Sequence, residues 1–435
     1  MTGAVATAGT FPAAPARRGL VRPLVSALVA VGLAASLVAT VALQGSRVAH
    51  ADVGVWEDAV EAPRPALYYA AHALRVAALA GAGLLAFAAR GRKVSPGLVA
   101  GLAALLAAAL LMSVRGMTVS DFLSTRVVGA TGPWIAVGSL LLFAAAREEA
   151  WPALARTLDL LAWALTALVA WEAVHLRSFL RQETVAALGT YLNALYFPAA
   201  WLVLRPHPAR SPLRLLRWVP AIAYAAGSVL VQTRLNLVMV ALLVLADAWV
   251  SSRRTGRPVS RVVELVVVGA AAVGVAAWLA EGTRFGRILG LSVLGLAERI
   301  GEDSRSGQLE AFLAAVSPVE LLLGRGARAT WDWPGMSPRW AGGTDVGYLS
   351  LLFFGGVPLL LAWCAVHLGP PLRAVRSGDA GMRLAFAAVA LLYGVRMLSS
   401  SFPSASLDFE VVLLCVGACA APARRLPGVA GASRS

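Results

Sequence analysis

Arginine is the residue through which this chain offers chemistry. All but one of its 38 basic residues are arginine, Lys93 being the exception. A guanidinium is a planar fork that stays charged and donates paired hydrogen bonds to phosphate. Arg234 lies in Gln232-Thr233-Arg234-Leu235-Asn236, a very short polar break between two apolar runs, where a charge is costly unless a partner meets it. Seven more, Arg284, Arg287, Arg299, Arg305, Arg325, Arg328 and Arg339, fall within residues 281–344. Such a set suits an anionic partner at membrane depth, for which a lipid diphosphate qualifies. The plainer reading is that these side chains snorkel to lipid headgroups. Asp345 closes the segment and suits two roles, acceptor of a hydroxyl proton or N-terminal cap of the next helix; Glu302 and Asp303 stand in reserve. Trp331, Trp333 and Trp340 have flat faces for sugar rings, and equally belong to the aromatic belt of a membrane protein.

The elements that position these residues follow from composition. Of 435 residues, 59% are apolar and 14% charged, with a mean hydropathy of +0.73, against roughly 45–50% and 25% in soluble domains. That apolar surface needs lipid as its solvent. The formal charge of +15 does not indicate a nucleic-acid partner, because the arginines are scattered through short loops rather than gathered in a basic domain. Cys364, Cys415 and Cys419 lie in apolar runs and offer neither a disulfide framework nor zinc spacing. Five histidines in five separate segments leave no basis for a metal site. No cofactor is expected.

Apolar runs near 24–43, 66–89, 96–113, 127–146, 152–175, 186–204, 215–232, 235–250, 261–280, 346–368, 383–400 and 407–421 predict an all-α polytopic membrane protein with about 12 transmembrane helices. Residues 1–19 read as a disordered tail, 20–280 as spans one to nine, 281–344 as a large outer helical loop, 345–421 as spans ten to twelve and 422–435 as a second tail. The first run exceeds the apolar core of a signal peptide, despite Ala49-His50-Ala51 after it, and predicts a retained span. With the N-terminus inside, 22 of the 38 basic residues fall in inner segments, as the positive-inside rule requires, and both termini are cytoplasmic. Within the outer loop, residues 287–300 predict a surface amphipathic helix and Ser304–Val316 a second helix. Ser317-Pro318-Val319-Glu320 has the form of a capping box opening a short helix that Gly324 ends.

Taken together, this order resembles the O-antigen polymerase and O-antigen ligase superfamily of bacterial envelopes. Thr233-Arg234 matches an arginine in a tight outer turn, and Ser304-Arg305, with Leu309, Ala311 and Phe312, an arginine opening a loop helix. Ser317-Pro318 through Leu323-Gly324-Arg325-Gly326 resembles a Pro-Leu-Leu-Gly-x-Gly stretch. Thr344-Asp345-Val346-Gly347-Tyr348-Leu349 and Gly355-Gly356 match a polar residue, a Tyr-Leu run and a glycine break. The motifs cover about 225–365, and the topology covers the whole chain. Ligases of this group usually carry His-Asn where this chain has Asp345-Val346, which favours a polymerase or another lipid-linked glycan transferase over a lipid A core ligase. The resemblance implies metal-independent glycosyl transfer from an undecaprenyl diphosphate-linked oligosaccharide at the outer face of the bacterial cytoplasmic membrane. It implies catalytic Asp345 and Arg305, diphosphate binding by Arg234, Arg325 and Arg328, and sugar contact by Tyr348, Trp331 and Trp333. Membrane lipids and a chain-length regulator are its implied partners.

Three rivals make different demands. A flippase for lipid-linked oligosaccharide wants basic residues along a central cavity and has no need of a long outer loop. A secondary transporter wants repeated halves with matched broken spans, and no internal repeat is visible. Other polyprenyl-sugar transferases place an acidic pair in the first outer loop, for which Glu57-Asp58 qualifies. Inside the spans, Arg75 and Arg396 invite two readings, a lipid-diphosphate groove or pairing between helices.

Overall fold

The structure, a computed structural model, describes residues 15–50, 64–89, 95–116, 138–175, 182–207, 215–231, 233–255, 304–326, 329, 346–378, 381–398 and 406–421. Among these every regular element is a helix. In chain order they are α1 (Pro15–His50), α2 (Ala66–Ala88), α3 (Pro96–Gly116), the short α4 (Leu142–Ala145), α5 (Trp151–His175) and α6 (Gln182–Leu204). There follow α7 (Val219–Leu230), α8 (Arg234–Thr255), α9 (Ser304–Ala315), α10 (Pro318–Leu323), α11 (Gly347–His367), α12 (Gly369–Arg376), α13 (Met382–Arg396) and α14 (Leu407–Cys419).

Six helical stretches are long and apolar enough to cross a membrane, in α1, α2, α3, α5, α8 and from α11 into α12, and α6 and α7 add shorter apolar stretches. The protein is an all-α membrane protein. Leucine, valine and tryptophan stand exposed on its outer faces, among them Leu84, Leu110, Leu160, Trp171, Leu245 and Leu361, a surface that water would penalise and hydrocarbon does not. Of the expected spans, 261–280 and the first part of 127–146 lie outside the described residues, as does the amphipathic stretch 287–300.

The described helices of the expected eleventh and twelfth spans are short and deeply buried. α13 and α14 have 15 and 13 residues, about 22 and 20 Å at 1.5 Å per residue, against roughly 30 Å of hydrocarbon. Both are enclosed by protein over most of their surface. Every residue of α14 except Asp408 is buried, and a helix apolar all round belongs in a core. α14 packs against α13, α6, α4 and α12. The middle of the bundle is aromatic: Trp201 of α6 stacks on Phe386 of α13 at 4.3 Å between ring centroids, and Phe197 meets Tyr393 edge-on.

Arginine side chains tie the helix ends together. Arg147 donates to the Ala89 carbonyl at 2.9 Å, Arg383 to that of Cys419 at 2.8 Å, and Arg254 to those of Leu204 and Gly381 at 2.8 and 3.1 Å. Arg22 reaches the Glu149 carbonyl at 2.8 Å, and Arg205 pairs with Asp159 at 2.7 Å. Most of these acceptors are terminal helix carbonyls, which have no partner within their own helix and carry the negative end of its dipole. The start of α1, the ends of α2, α6, α8 and α14 and the starts of α5 and α13 therefore share one end of the bundle. It is the end that holds the arginines assigned from sequence to the inner loops. At the opposite end the Gly347 amide donates to the Met397 carbonyl at 2.9 Å, joining the start of α11 to the end of α13.

Candidate functional site

At that opposite end α11 is broken, and a loop fills the break. Gly356 sits inside α11 with φ 69° and ψ −171°, two residues before Pro358. Proline has no amide hydrogen and cannot sit inside an unbroken helix without clashing, so the carbonyls just before the break need donors from elsewhere. The segment after α10 supplies them: the Arg325 amide donates to the Phe353 carbonyl at 2.7 Å, and the Gly326 amide to the Phe354 carbonyl at 2.9 Å. Two stretches separated by about thirty residues of sequence thus form one structure.

The loop is prepared locally before it docks. Ser317 caps α10 through its side chain, and Glu320 reaches back to the Ser317 amide at 2.8 Å, forming the reciprocal box read from the sequence. Gly324 ends the helix at φ 72°. Arg325 then folds back over it, with Nε 2.9 Å from Glu320 Oε1 and Nη2 2.6 Å from the Ala315 carbonyl. Its guanidinium carbon lies 5.5 Å from the centroid of Phe353. Phe312, fully buried, meets Phe353 edge-on and anchors α9 to the same place. From α3, Arg115 donates to the Leu323 carbonyl at 2.7 Å.

Glu320 is held down to about 2 from its ordinary 4.5, first by the Ser317 amide, then by the Arg325 guanidinium and the Ser317 hydroxyl. A carboxylate with a lowered folded value stabilises the docked loop above its unfolded value, near 4.5, and loses that contribution as pH falls towards about 2. Pepsin cleavage of residues 313–326 is expected to be slow at about pH 5 and to accelerate towards about pH 2. Glu320→Gln should be cut rapidly at both; an unchanged wild-type rate across this window would show that the box does not hold the loop.

The sequence-derived site residues fall into three groups. Arg325 is in the loop lock, whereas Tyr348 lies at the start of α11: its hydroxyl donates to the Gly394 carbonyl at 2.8 Å and its ring meets Trp363 edge-on, so it braces α11 against α13. Arg234 is the first residue of α8, after a tight turn in which the Thr233 amide bonds the Ser228 carbonyl at 3.0 Å. Arg305 is the second residue of α9, its side chain lying outside the described part. Asp345, Arg328, Trp331, Trp333 and Trp340 lie outside the described residues, as do Glu302, Asp303, Glu57 and Asp58.

Arg75 and Arg396 are ion-paired. Arg75 Nε lies 3.2 Å from Glu410 and its Nη1 3.4 Å from the Ser36 hydroxyl. Arg396 donates to Asn193 at 2.8 Å and lies 3.5 Å from Asp408. Of the two readings open for them, the geometry is that of pairs between helices. Sequence reasoning did not single out Arg115, Phe353 or Asn193. A basic residue in the last turn of α3 was the one available signal, for Arg115; the other two look like any residues of an apolar run. Among the described residues no group of histidine, cysteine, aspartate or glutamate is arranged to hold a metal ion, and all three cysteines are free thiols.

No model of a known protein family matches the chain, and no curated protein matches it either.

Proposed function

We propose that the protein extends a bacterial envelope glycan by moving an oligosaccharide from undecaprenyl diphosphate to a sugar hydroxyl, as the O-antigen polymerases that it resembles do. The observation that carries the reading is the docking of Gly324-Arg325-Gly326 into the break at Gly355-Gly356. Two motifs that the resemblance lists separately support one another physically, and they sit at the end of the bundle where Arg234 opens α8. In this reading the twelve-span topology holds, and the arginine-tied end of the bundle faces the cytosol by the positive-inside rule. Both termini are then cytoplasmic and residues 281–344 lie outside, in contact with membrane lipids and a chain-length regulator.

The chemistry asks for fixed positive charge where the leaving group develops negative charge. Arg234, Arg305 and Arg328 meet the diphosphate, joined by Arg325 Nη1, since Arg325 spends Nε and Nη2 on the loop lock. Asp345, next to the start of α11, accepts the proton of the attacking hydroxyl. The bond from the anomeric carbon to the diphosphate oxygen breaks, a glycosidic bond forms, and undecaprenyl diphosphate departs. Tyr348, Trp331 and Trp333 border the sugar.

Cells carrying Asp345→Asn or Arg305→Ala are expected to accumulate single lipid-linked repeats on the outer face in place of long chains, with normal protein levels. Repeats retained on the cytosolic face would instead indicate a flippase. Long chains that are made but never joined to their final acceptor would indicate a ligase. Normal chain lengths would remove both residues from the site.

A further inference from the structure

The short helix α10 keeps its charged residue inside and shows its apolar residues outside. Val319, Leu322 and Leu323 are spaced to share one face, and they are 65%, 55% and 42% exposed. Glu320 is spent on the Ser317 amide and hydroxyl and on Arg325. The Arg325 guanidinium lies in turn against Phe353, so the two charges of this segment neutralise each other within the loop lock. On α9 the pattern repeats: Leu309 and Leu313 share one face and are exposed, although Phe312 and Val316 are buried. For a helix at a water surface this is the reverse of the usual arrangement.

We propose that the exposed face of α10, together with Leu309 and Leu313 of α9, is immersed in the lipid leaflet at this end of the bundle, its partner being the hydrocarbon just below the headgroups. Two further observations name that occupant. The first is continuity with a lipid-facing surface. α3 is long and apolar enough to cross the membrane from Pro96 to Arg115, and its exposed side carries Leu110, Leu111 and Val114, the last 70% exposed. Arg115, next to Val114, donates to the Leu323 carbonyl at 2.7 Å. The apolar face of α10 thus begins where the lipid-facing side of α3 ends, and an arginine at such a boundary holds its charge at headgroup depth. The second observation is the state of the backbone. Hydrocarbon accepts a turn only where its main-chain groups are met by protein. Here the Ser317 and Glu320 amides bond within the capping box, the Ala315 carbonyl accepts from Arg325 Nη2, the Glu320 carbonyl from the Gly324 amide and the Leu323 carbonyl from Arg115. On a loop in solution water would serve such helix-end groups. Interfacial helices lie with their apolar side about 5–10 Å into the boundary between headgroups and chains. The inference concerns the depth of this segment; it asks nothing of Asp345 or Arg305 and stands whether or not the protein transfers sugars.

The test places a bimane fluorophore on the full-length protein in phosphatidylcholine vesicles, at Val319→Cys or Leu322→Cys in a Cys364→Ala background, the other two thiols being buried. Quenching is read with phosphatidylcholine carrying a nitroxide high on its acyl chain, and separately with iodide in the water. Both labels are expected to be quenched by the nitroxide lipid as strongly as one at Val114→Cys. Iodide should quench them about tenfold less than it quenches the free fluorophore, since an ion is excluded from hydrocarbon. The two substituted side chains are exposed and outside the loop lock, so both variants keep the fold on which the reading depends. Iodide quenching close to that of the free fluorophore would overturn the proposal and leave α10 in water. Protection from both quenchers would overturn it too, by showing that protein, a second copy included, covers the face. A Val114→Cys label untouched by the nitroxide lipid would remove the lipid-facing side of α3 and the proposal with it.

Discussion

Replacing Gly324 by alanine is expected to release the loop from α11 and to slow chain elongation about a hundredfold, the equivalent of about 3 kcal/mol. Gly324 at φ 72°, ψ 163° and Gly356 at φ 69°, ψ −171° both occupy backbone territory that is essentially reserved for glycine. They also face each other. A Cβ on Gly324 would lie 2.5 Å from the Phe354 carbonyl oxygen and 2.6 Å from the Gly356 nitrogen, and one on Gly356 would lie 2.7 Å from the Gly324 nitrogen. These neighbours are main chain and cannot swing aside as a side chain would. The strained backbone costs about 1–3 kcal/mol, and the two amide bonds to Phe353 and Phe354 are lost at about 0.5–1.5 kcal/mol each. Gly356→Ala should therefore give the same phenotype from the other partner. Elongation measured on lipid-linked repeats, together with protease sensitivity of residues 313–326, reads both effects. If both alanine variants kept a protected loop, the docked arrangement would be wrong. If the loop came loose and elongation continued at the normal rate, the docking would stand and the proposed site would not depend on it.

Arg75→Met is expected to destabilise the bundle by about 3–5 kcal/mol, whereas Arg75→Met combined with Glu410→Leu should restore wild-type stability or exceed it by about 1–4 kcal/mol. Arg75 is 3% exposed and Glu410 fully buried. The pair joins α2 to α14, with Ser36 of α1 beside it. In such surroundings the cost of drawing two charges out of water rivals their attraction, so removing one partner strands the other, and removing both relieves the molecule of the problem. Unfolding in detergent, followed for the two single variants and the double variant, gives the coupling directly. A double variant as unstable as Arg75→Met would mean that Arg75 holds the bundle through its packing and not through Glu410. The same cycle on Arg396 and Asp408 should show smaller coupling, since that pair is longer at 3.5 Å and Asn193 shares the guanidinium.

Several features were legible because their determinants lie within a few residues of one another. The capping box at Ser317 and Glu320, the turn before Arg234 and the six long apolar helices are all written in neighbouring positions: a hydroxyl before a proline, a polar break between apolar runs, twenty apolar residues in succession. Reach was the limit. Arg396 meets Asn193 across 203 residues of chain, and Gly324 meets Gly356 across a stretch that holds most of the candidate site. Each member of such a pair makes ordinary local sense without the other. Gly324 reads as a helix stop and Gly355-Gly356 as a glycine break, although together they form a backbone-to-backbone seam.

Sequence by itself determined that the chain lives in lipid, where its long helices begin and end, and which arginines lie near helix ends. Only the packed molecule decided that α13 and α14 are walled in by protein over most of their surface, that Arg75 and Arg396 are spent on carboxylates, and that the loop after α10 completes α11. The reason is physical. To an apolar side chain a lipid tail and a protein interior are nearly the same solvent, so hydropathy finds the helices but says nothing about their neighbours. That choice falls to the few polar groups and bare backbone amides whose partners arrive from distant parts of the chain.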